Sequence, residues 1–395
     1  MVWKSQWKRT KRLKVVAVGV ALVAAFWVFA ARGKTLSRVG EPSGCNFPAI
    51  FNFGDSNSDT GCVSAAFNRL EPPYGRTFFG KPSGRYFDGR LIIDFIAEKL
   101  GLPYLSPYLD AIGVIDATFR HGANFAASGA TIRPEPSMNP FHLSLQISQF
   151  KQLKARTIEL YNQAQRSRAK SFLPRPEDFS KALYTMDTGQ NDLHAGLISK
   201  TEEQVQASIP SILDQLAEAS LYQQGARAFW IHNTGPIGCL PFFLINFPPK
   251  ASNTDQIGCV KSYNEVAQVF NKQLKHMVSQ LRTKFQNASL TYVDIYSAKY
   301  SLISEAKEHG FVDPLGYCCG HRGDHYELDC GEKAVINGTE IIGSSCSNSS
   351  EFINWDGIHY TEAANHWVGL QVLDGSLSDP ELPVTKACLQ PVESR

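Results

Sequence analysis

From residue 45 onward, short apolar runs of strand length alternate with amphipathic stretches of helical period, and this alternation restricts the chain's fold more than any other feature. Phe47–Phe53 reads as a strand closed by Gly54, and Leu183–Asp187, Arg227–His232 and Leu290–Tyr296 read as similar runs bounded by turn residues. Between them lie helical patterns. Val266, Phe270, Leu274, Met277, Leu281 and Phe285 recur at steps of three and four, which draws one apolar stripe along a helix. Leu143–Arg166, Glu202–Gln223 and Thr361–Val372 are further helices. Such alternation argues for an α/β fold whose mostly parallel sheet is covered on both faces. Reactive groups in such sheets gather at the carboxyl ends of the strands. Composition agrees: 43% hydrophobic and 19% charged residues exclude a disordered, collagenous or coiled-coil chain. A length of 395 residues allows two domains on a prior of roughly 150 each, although single α/β domains often run longer.

The strand ends carry the chemistry. Phe53-Gly54-Asp55-Ser56-Asn57-Ser58-Asp59-Thr60-Gly61 follows the first strand. Gly54 permits a tight turn, and Ser56 then sits on a rigid support with its own N–H free for an oxyanion, although a plain turn or helix cap reads equally well locally. Asn354-Trp355-Asp356-Gly357-Ile358-His359 precedes the last helix. An Asp and a His three apart can fold back within one turn, so that the carboxylate holds one ring nitrogen and the other acts as a base. Gly122–Ala130 is rich in small residues that let backbone approach a ligand, and Thr185–Asp192 ends another strand with an amide donor at Asn191. Acyl transfer needs a nucleophile, a base with an orienting acid, and donors for the oxyanion. Each type is present at a strand terminus. The nucleophile elbow Gly-x-Ser-x-Gly is absent around Ser56.

Together these four segments resemble the GDSL ester hydrolases, also called SGNH serine hydrolases, and most closely their plant branch. Pro72-Pro73-Tyr74-Gly75 and Gly84–Phe95 strengthen the likeness, which spans about residues 45–375. The resemblance implies a single flavodoxin-like, three-layer α/β/α domain. It also implies Ser56 as nucleophile, His359 as base and Asp356 as the acid that orients it. The oxyanion hole it implies comprises the Ser56 N–H, the Gly129 N–H and the Asn191 side chain. Asn57 stands where the family name has leucine, at a position that does not react. The chemistry requires no metal and no cofactor, and G-x-G-x-x-G and P-loop patterns are missing.

The expected substrate is an ester, and an acetylated plant cell-wall polysaccharide such as xylan leads, with lipid or small-metabolite esters as the alternative. Trp355, Tyr74 and Tyr86 either stack on sugar rings or belong to the core. A different class stays open, because some plant relatives carry the name glycosidase. Asp55, Asp59, Asp187 and Asp192 could supply a carboxylate pair for that chemistry, and a glycan-binding module without turnover is a third possibility.

The N-terminus is a targeting segment. Residues 1–14 carry six cations and no acid, and Val15–Ala31 follows without a charge. Its 17 residues span about 25 Å as a helix, which suits a signal anchor in a thin secretory membrane. Cleavage near Val28-Phe29-Ala30 is the alternative. An anchor of this polarity leaves the body in the lumen, with Golgi membrane as the leading location and secretion to the cell wall as the other. The expected layout is a basic region at 1–14, the apolar segment at 15–31, a linker at 32–44, one catalytic domain at 45–380 and a tail at 381–395. Membrane contact is expected only through the N-terminal segment.

Nine cysteines suit an oxidising compartment, with Cys239–Cys259 as the best single pair and an odd thiol left over. The run from Cys318 through His321 and His325 to Cys330 fits disulfides better than zinc, because its spacing matches no standard ligand set. Asn287, Asn337 and Asn348 open glycosylation sequons. The overall charge of +2 gives no reason to invoke nucleic acid, and beyond residue 14 the balance is 33 basic against 37 acidic residues.

Overall fold

A computed structural model describes residues 44–110, 118–134, 139–163, 168–218, 221–323 and 327–388. The basic region 1–14, the apolar segment 15–31, nearly all of the linker, His325 and the last seven residues lie outside them. Among the described residues, no helix is long and apolar enough to cross a membrane.

The central sheet uses β1 (Ile50–Gly54), β2 (Gly122–Asn124), β3 (Leu183–Asp187), β4 (Ala228–His232) and β5 (Ser289–Val293). They run parallel in the order β2-β1-β3-β4-β5. This is the flavodoxin-like order expected of a doubly wound α/β domain. The remaining strands are β6 (Asp313–Tyr317), β7 (His321–Arg322), β8 (Glu327–Leu328), β9 (Lys333–Ile336), β10 (Thr339–Ile342), β11 (Phe352–Asn354) and β12 (Ser378–Asp379). β12 closes the sheet beside β5 as an antiparallel edge.

The helices are α1 (Cys62–Ala66), α2 (Ile92–Lys99), α3 (Leu143–Gln163), α4 (Gln190–Ser199), α5 (Glu202–Glu218), α6 (Pro241–Asn246), α7 (Lys261–Lys284), α8 (Ile295–Ser304) and α9 (Glu362–Leu373). α9 packs on α2 and α8, while α4, α5 and α7 pack on one another. On α7, Val266, Phe270 and Leu274 are buried, and Met277, Leu281 and Phe285 lie against the core as the stripe requires. Phe150 of α3 meets the rings of Phe51, Phe53 and Tyr184 at centroid distances of 5.1, 5.7 and 5.7 Å.

Element boundaries shift in physically sensible ways. β1 begins at Ile50, because Pro48 cannot donate to a ladder. β5 ends at Val293, and Asp294 caps α8 by accepting from the Ser297 N–H. Leu290–Tyr296 is therefore a strand followed by a helix start. β2 carries no apolar run, and its small residues sit edge-on against β1. The body also continues past residue 380. Val384 is buried, the Cys45 N–H donates to Thr385 O at 2.7 Å, and Cys45 is bonded to Cys388. Three further disulfides join Cys239 to Cys259, Cys318 to Cys346 and Cys319 to Cys330, leaving Cys62 as a buried free thiol. The cysteines beside His321 are thus cross-linked, as expected of an oxidised protein rather than a thiolate metal site.

Candidate active site

The sheet order reverses direction between β1 and β3, and a crevice at such a point is where doubly wound folds place their ligands. Ser56 follows β1 and Asn191 follows β3. Gly54 turns the chain out of β1 at φ +151°, and a side chain there would put Cβ 2.0 Å from Asp187 O. Only glycine lets the two strand ends approach this closely. The Asp55 N–H then donates to Asp187 O at 3.0 Å, and the Ser58 N–H donates to Asp55 O at 3.1 Å. Ser56 is held in this turn, 7% exposed.

The small-residue segment lies against the same turn. The Ala127 N–H donates to Gly54 O, and Asn124 Nδ2 donates to Ser58 O at 2.6 Å. Gly129 has φ +77°, and the next residue, Ala130, accepts from Asn191 Nδ2 at 2.9 Å. That bond uses one of the two Asn191 amide hydrogens and fixes the direction of the other. Among the described residues, the N–H groups of Ser56 and Gly129 have no acceptor. Backbone donors are almost always paired in folded proteins, so these two are open to an acceptor from outside the described residues.

Asp356 and His359 fold back on each other. Asp356 Oδ2 lies 2.6 Å from His359 Nδ1, while Asp356 Oδ1 accepts from the N–H groups of Ile358 and His359 at 3.0 and 2.8 Å. This geometry puts the proton on Nδ1 and leaves Nε2 as a base. The His359 ring packs on Phe87, with centroids 4.8 Å apart. Ser56 and His359 do not hydrogen-bond to each other among the described residues; such contacts commonly tighten only when substrate binds. His194, on the same helix as Asn191, is held down to about 4 by burial and by the charge of His359.

The four aspartates considered as a carboxylate pair are engaged elsewhere. Asp59 accepts from the N–H groups of Gly61, Cys62, Val63 and Ser128, and Asp192 from that of Ile132. Burial pushes Asp192 up to about 6. Asp55 accepts from the Asn57 N–H and Nδ2, both at 3.0 Å; burial and the neighbouring Asp187 push it up to about 7. Asp187 lies 3.1 Å from His232 Nδ1. Trp355 is fully buried and Tyr74 nearly so, both among the cysteines of the 318–346 segment. They are core residues, and of the three aromatics only Tyr86 keeps a partly open face. Asn287, Asn337 and Asn348 are all exposed. Among the described residues, no group of His, Cys, Asp and Glu is arranged to hold a metal ion.

In the sequence Asn57 stands at a non-reacting position, and Lys299 belongs to no motif. The buried Lys299 ammonium lies 3.5 Å from Asn57 Oδ1. Their separation of 242 positions leaves no local signal.

Comparison with known proteins gives a consistent answer. The family model for GDSL-like lipase/acylhydrolase matches residues 50–372. A GDSL esterase/lipase of Arabidopsis thaliana is 55% identical over 88% of this chain and 92% of its own length. A Zea mays GDSL esterase/lipase is 48% identical over 89% and 91%. A protein named alpha-L-fucosidase 3, also from Arabidopsis thaliana, is 48% identical over 87% and 92%.

Proposed function

The chain belongs to the GDSL-like lipase/acylhydrolase family and is a carboxylic ester hydrolase, and from that premise we propose that it works by a Ser56-His359-Asp356 acyl transfer. The observation that carries this reading is the 2.6 Å Asp356–His359 contact on one loop, together with a strand-end serine whose own N–H has no acceptor among the described residues. His359 Nε2 takes the Ser56 proton as the oxygen attacks the ester carbonyl. The oxyanion is received by the N–H groups of Ser56 and Gly129 and the free amide hydrogen of Asn191. His359 then protonates the leaving alcohol, and water releases the acid by the same route in reverse. One such donor is worth on the order of 3 kcal/mol, or a hundred-fold or more in rate.

Ser56→Ala is expected to abolish hydrolysis of p-nitrophenyl acetate with an unchanged far-ultraviolet circular dichroism spectrum. Undiminished turnover by that variant would remove Ser56 from the mechanism.

The substrate we favour is an O-acetylated cell-wall polysaccharide such as acetylxylan. The family supports an ester of some kind, and the half-buried Tyr86 beside His359 is the one aromatic of the three left to meet a sugar ring. Lipid or small-metabolite esters are the rival reading. The fucosidase name of one relative motivates a test for glycosidase activity. The engagement of Asp59 and Asp192 by backbone N–H groups weighs against a free carboxylate pair. Acetate release without free sugar, measured on acetylated xylan and pectin beside triacylglycerol, separates these outcomes. Binding without either product would instead indicate a glycan-binding module.

Four disulfides fit an oxidising, secretory or extracellular setting. We propose that the N-terminal basic and apolar segment delivers the body there, held at the Golgi membrane or secreted. The exposed Asn287, Asn337 and Asn348 are the proposed glycosylation sites. Fractionation and glycosidase-shift gels of the full chain test both points.

A further inference from the structure

Residues 57 and 360 each adjoin a residue proposed for catalysis, and one buried side chain reaches both. Lys299 stands on α8 and is 5% exposed. Its Nζ is 3.5 Å from Asn57 Oδ1, at the long end of hydrogen-bond range, and 4.4 Å from the centroid of the Tyr360 ring. Among the described residues, Asn57 is the ammonium's one hydrogen-bond partner. The stem lies over Gly235, where an added Cβ would sit 2.9 Å from Lys299 Cδ. The carboxylates of Asp55 and Asp187, at the ends of β1 and β3, supply the charges that oppose its desolvation.

Burying an ammonium is costly unless its surroundings compensate. Here burial still holds the Lys299 ammonium below its ordinary pKa, and Asp187 and Asp55 at the strand ends offset part of that cost. Asn57 uses both ends of its amide: Nδ2 donates to Asp55 Oδ1, and Oδ1 faces Lys299. Leucine at this position could do neither. Ser56 and His359 do not bond directly, so their separation is set by the groups behind them.

We propose that Lys299 is a positioning residue that couples the Ser56 turn to the His359 loop, through Asn57 on one side and the Tyr360 ring on the other. The inference deepens the acyl-transfer reading and rests on it. Lys299 touches no substrate; it acts by fixing where the nucleophile and base stand relative to each other.

The test is a double-mutant cycle of Lys299→Met, Asn57→Leu and the double variant in the full chain. p-Nitrophenyl acetate turnover and fluorophosphonate labelling of Ser56 are followed together. Each single variant is expected to lose about tenfold or more in kcat with KM within about twofold, because a misplaced catalytic pair affects chemistry more than binding. The Asn57→Leu variant leaves the ammonium without its acceptor. Removing Lys299 as well is then expected to cost little beyond Asn57→Leu alone, because both changes break the same link. Losses that simply multiply, or unchanged kcat in Asn57→Leu, overturn the proposal. If Lys299→Met fails to fold, Lys299→Arg and Asn57→Leu decide the matter by the same kcat criterion. Failure of the wild-type chain to label at Ser56 defeats the acyl-transfer reading itself, whereas normal labelling with unaltered variant kinetics defeats only the role of Lys299.

Discussion

Ser56 and Asn191 follow strands of the central sheet, buried along almost their whole length, whereas Asp356 and His359 follow the short, mostly buried β11 at the end of a segment whose β9 and β10 are largely exposed. β1 is buried at every position and β3 at all but its last. By contrast, β9 and β10 are mostly exposed, and Val335 is 72% accessible. The segment from β6 to β11 has its own small core of Tyr74, Trp355 and three cysteines. Two disulfides cross it, and the N–H groups of Cys318 and Cys319 donate to Trp355 O at 3.0 and 2.6 Å, immediately before Asp356. One half of the site is thus placed by the central sheet, and the other by the buried β11 and Trp355, which two disulfides tie to a more exposed segment. Loop segments with little apolar burial open at lower free energy than core strands, so the two halves should differ in what disturbs them.

The sharpest way to break this contrast is to add one methyl group to each half. Gly54→Ala forces Cβ into Asp187 O and is expected to cost about 4 kcal/mol or more, a large share of an ordinary stability of about 5–15 kcal/mol. Gly357→Ala has a comparable positive φ, at +96°, but its nearest neighbour lies 3.7 Å away. It carries only the conformational penalty of about 1–2 kcal/mol. Urea titration of both variants measures the difference, and equal losses would mean that packing does not distinguish the halves.

Next in size is the removal of a cross-link. Replacing Cys318 and Cys346 together by Ser frees a loop with 28 residues of separation and is expected to cost about 3 kcal/mol. The loss should be local. Hydrogen exchange is expected to speed up between residues 313 and 360 while β1, β3 and β4 keep their protection, and turnover falls because His359 loses its support. Uniform loss of protection across the sheet would show that the disulfide serves the whole fold instead.

The same contrast explains what was legible in the sequence. β3 and β4, and the stripe on α7, are written as apolar periodicity because burial on a sheet or helix face selects for it. The Asp356–His359 contact was legible because it is closed within four residues. β2 was missed because its Gly-Ala-Asn carries no apolar pattern; it pairs by backbone alone. Cys318 and Cys319 are adjacent, so spacing could not say which of them meets Cys330 and which meets Cys346. The sequence leaves Trp355 between sugar stacking and the core, because the cysteines and Tyr74 it packs with come from distant parts of the chain. Lys299 and Asn57 lie on different elements, brought together by the crossovers, and no local pattern records such a meeting.

The smallest predicted effect tests the electrostatics between the halves. His194, on the Asn191 side, is buried against Phe242 and Phe243 and faces the charge of His359, and these hold it down to about 4 from an ordinary 6.5. Between those values the unfolded chain binds a proton that the folded chain refuses. The stabilisation is therefore complete above about pH 6.5 and declines as pH falls toward 4. Asp55 and Asp192 are raised, so in part of the same window they act in the opposite sense, gaining stability as pH falls. Absolute curves mix these contributions, but a difference between variants isolates one of them. His194→Leu is expected to remove the acid sensitivity of this site, so that its stability relative to wild type improves by up to about 2 kcal/mol between pH 6.5 and 5. Parallel wild-type and variant curves from urea titrations across that range would mean that His194 protonates as readily in the folded chain as in the unfolded one, and that the two halves do not repel at this point.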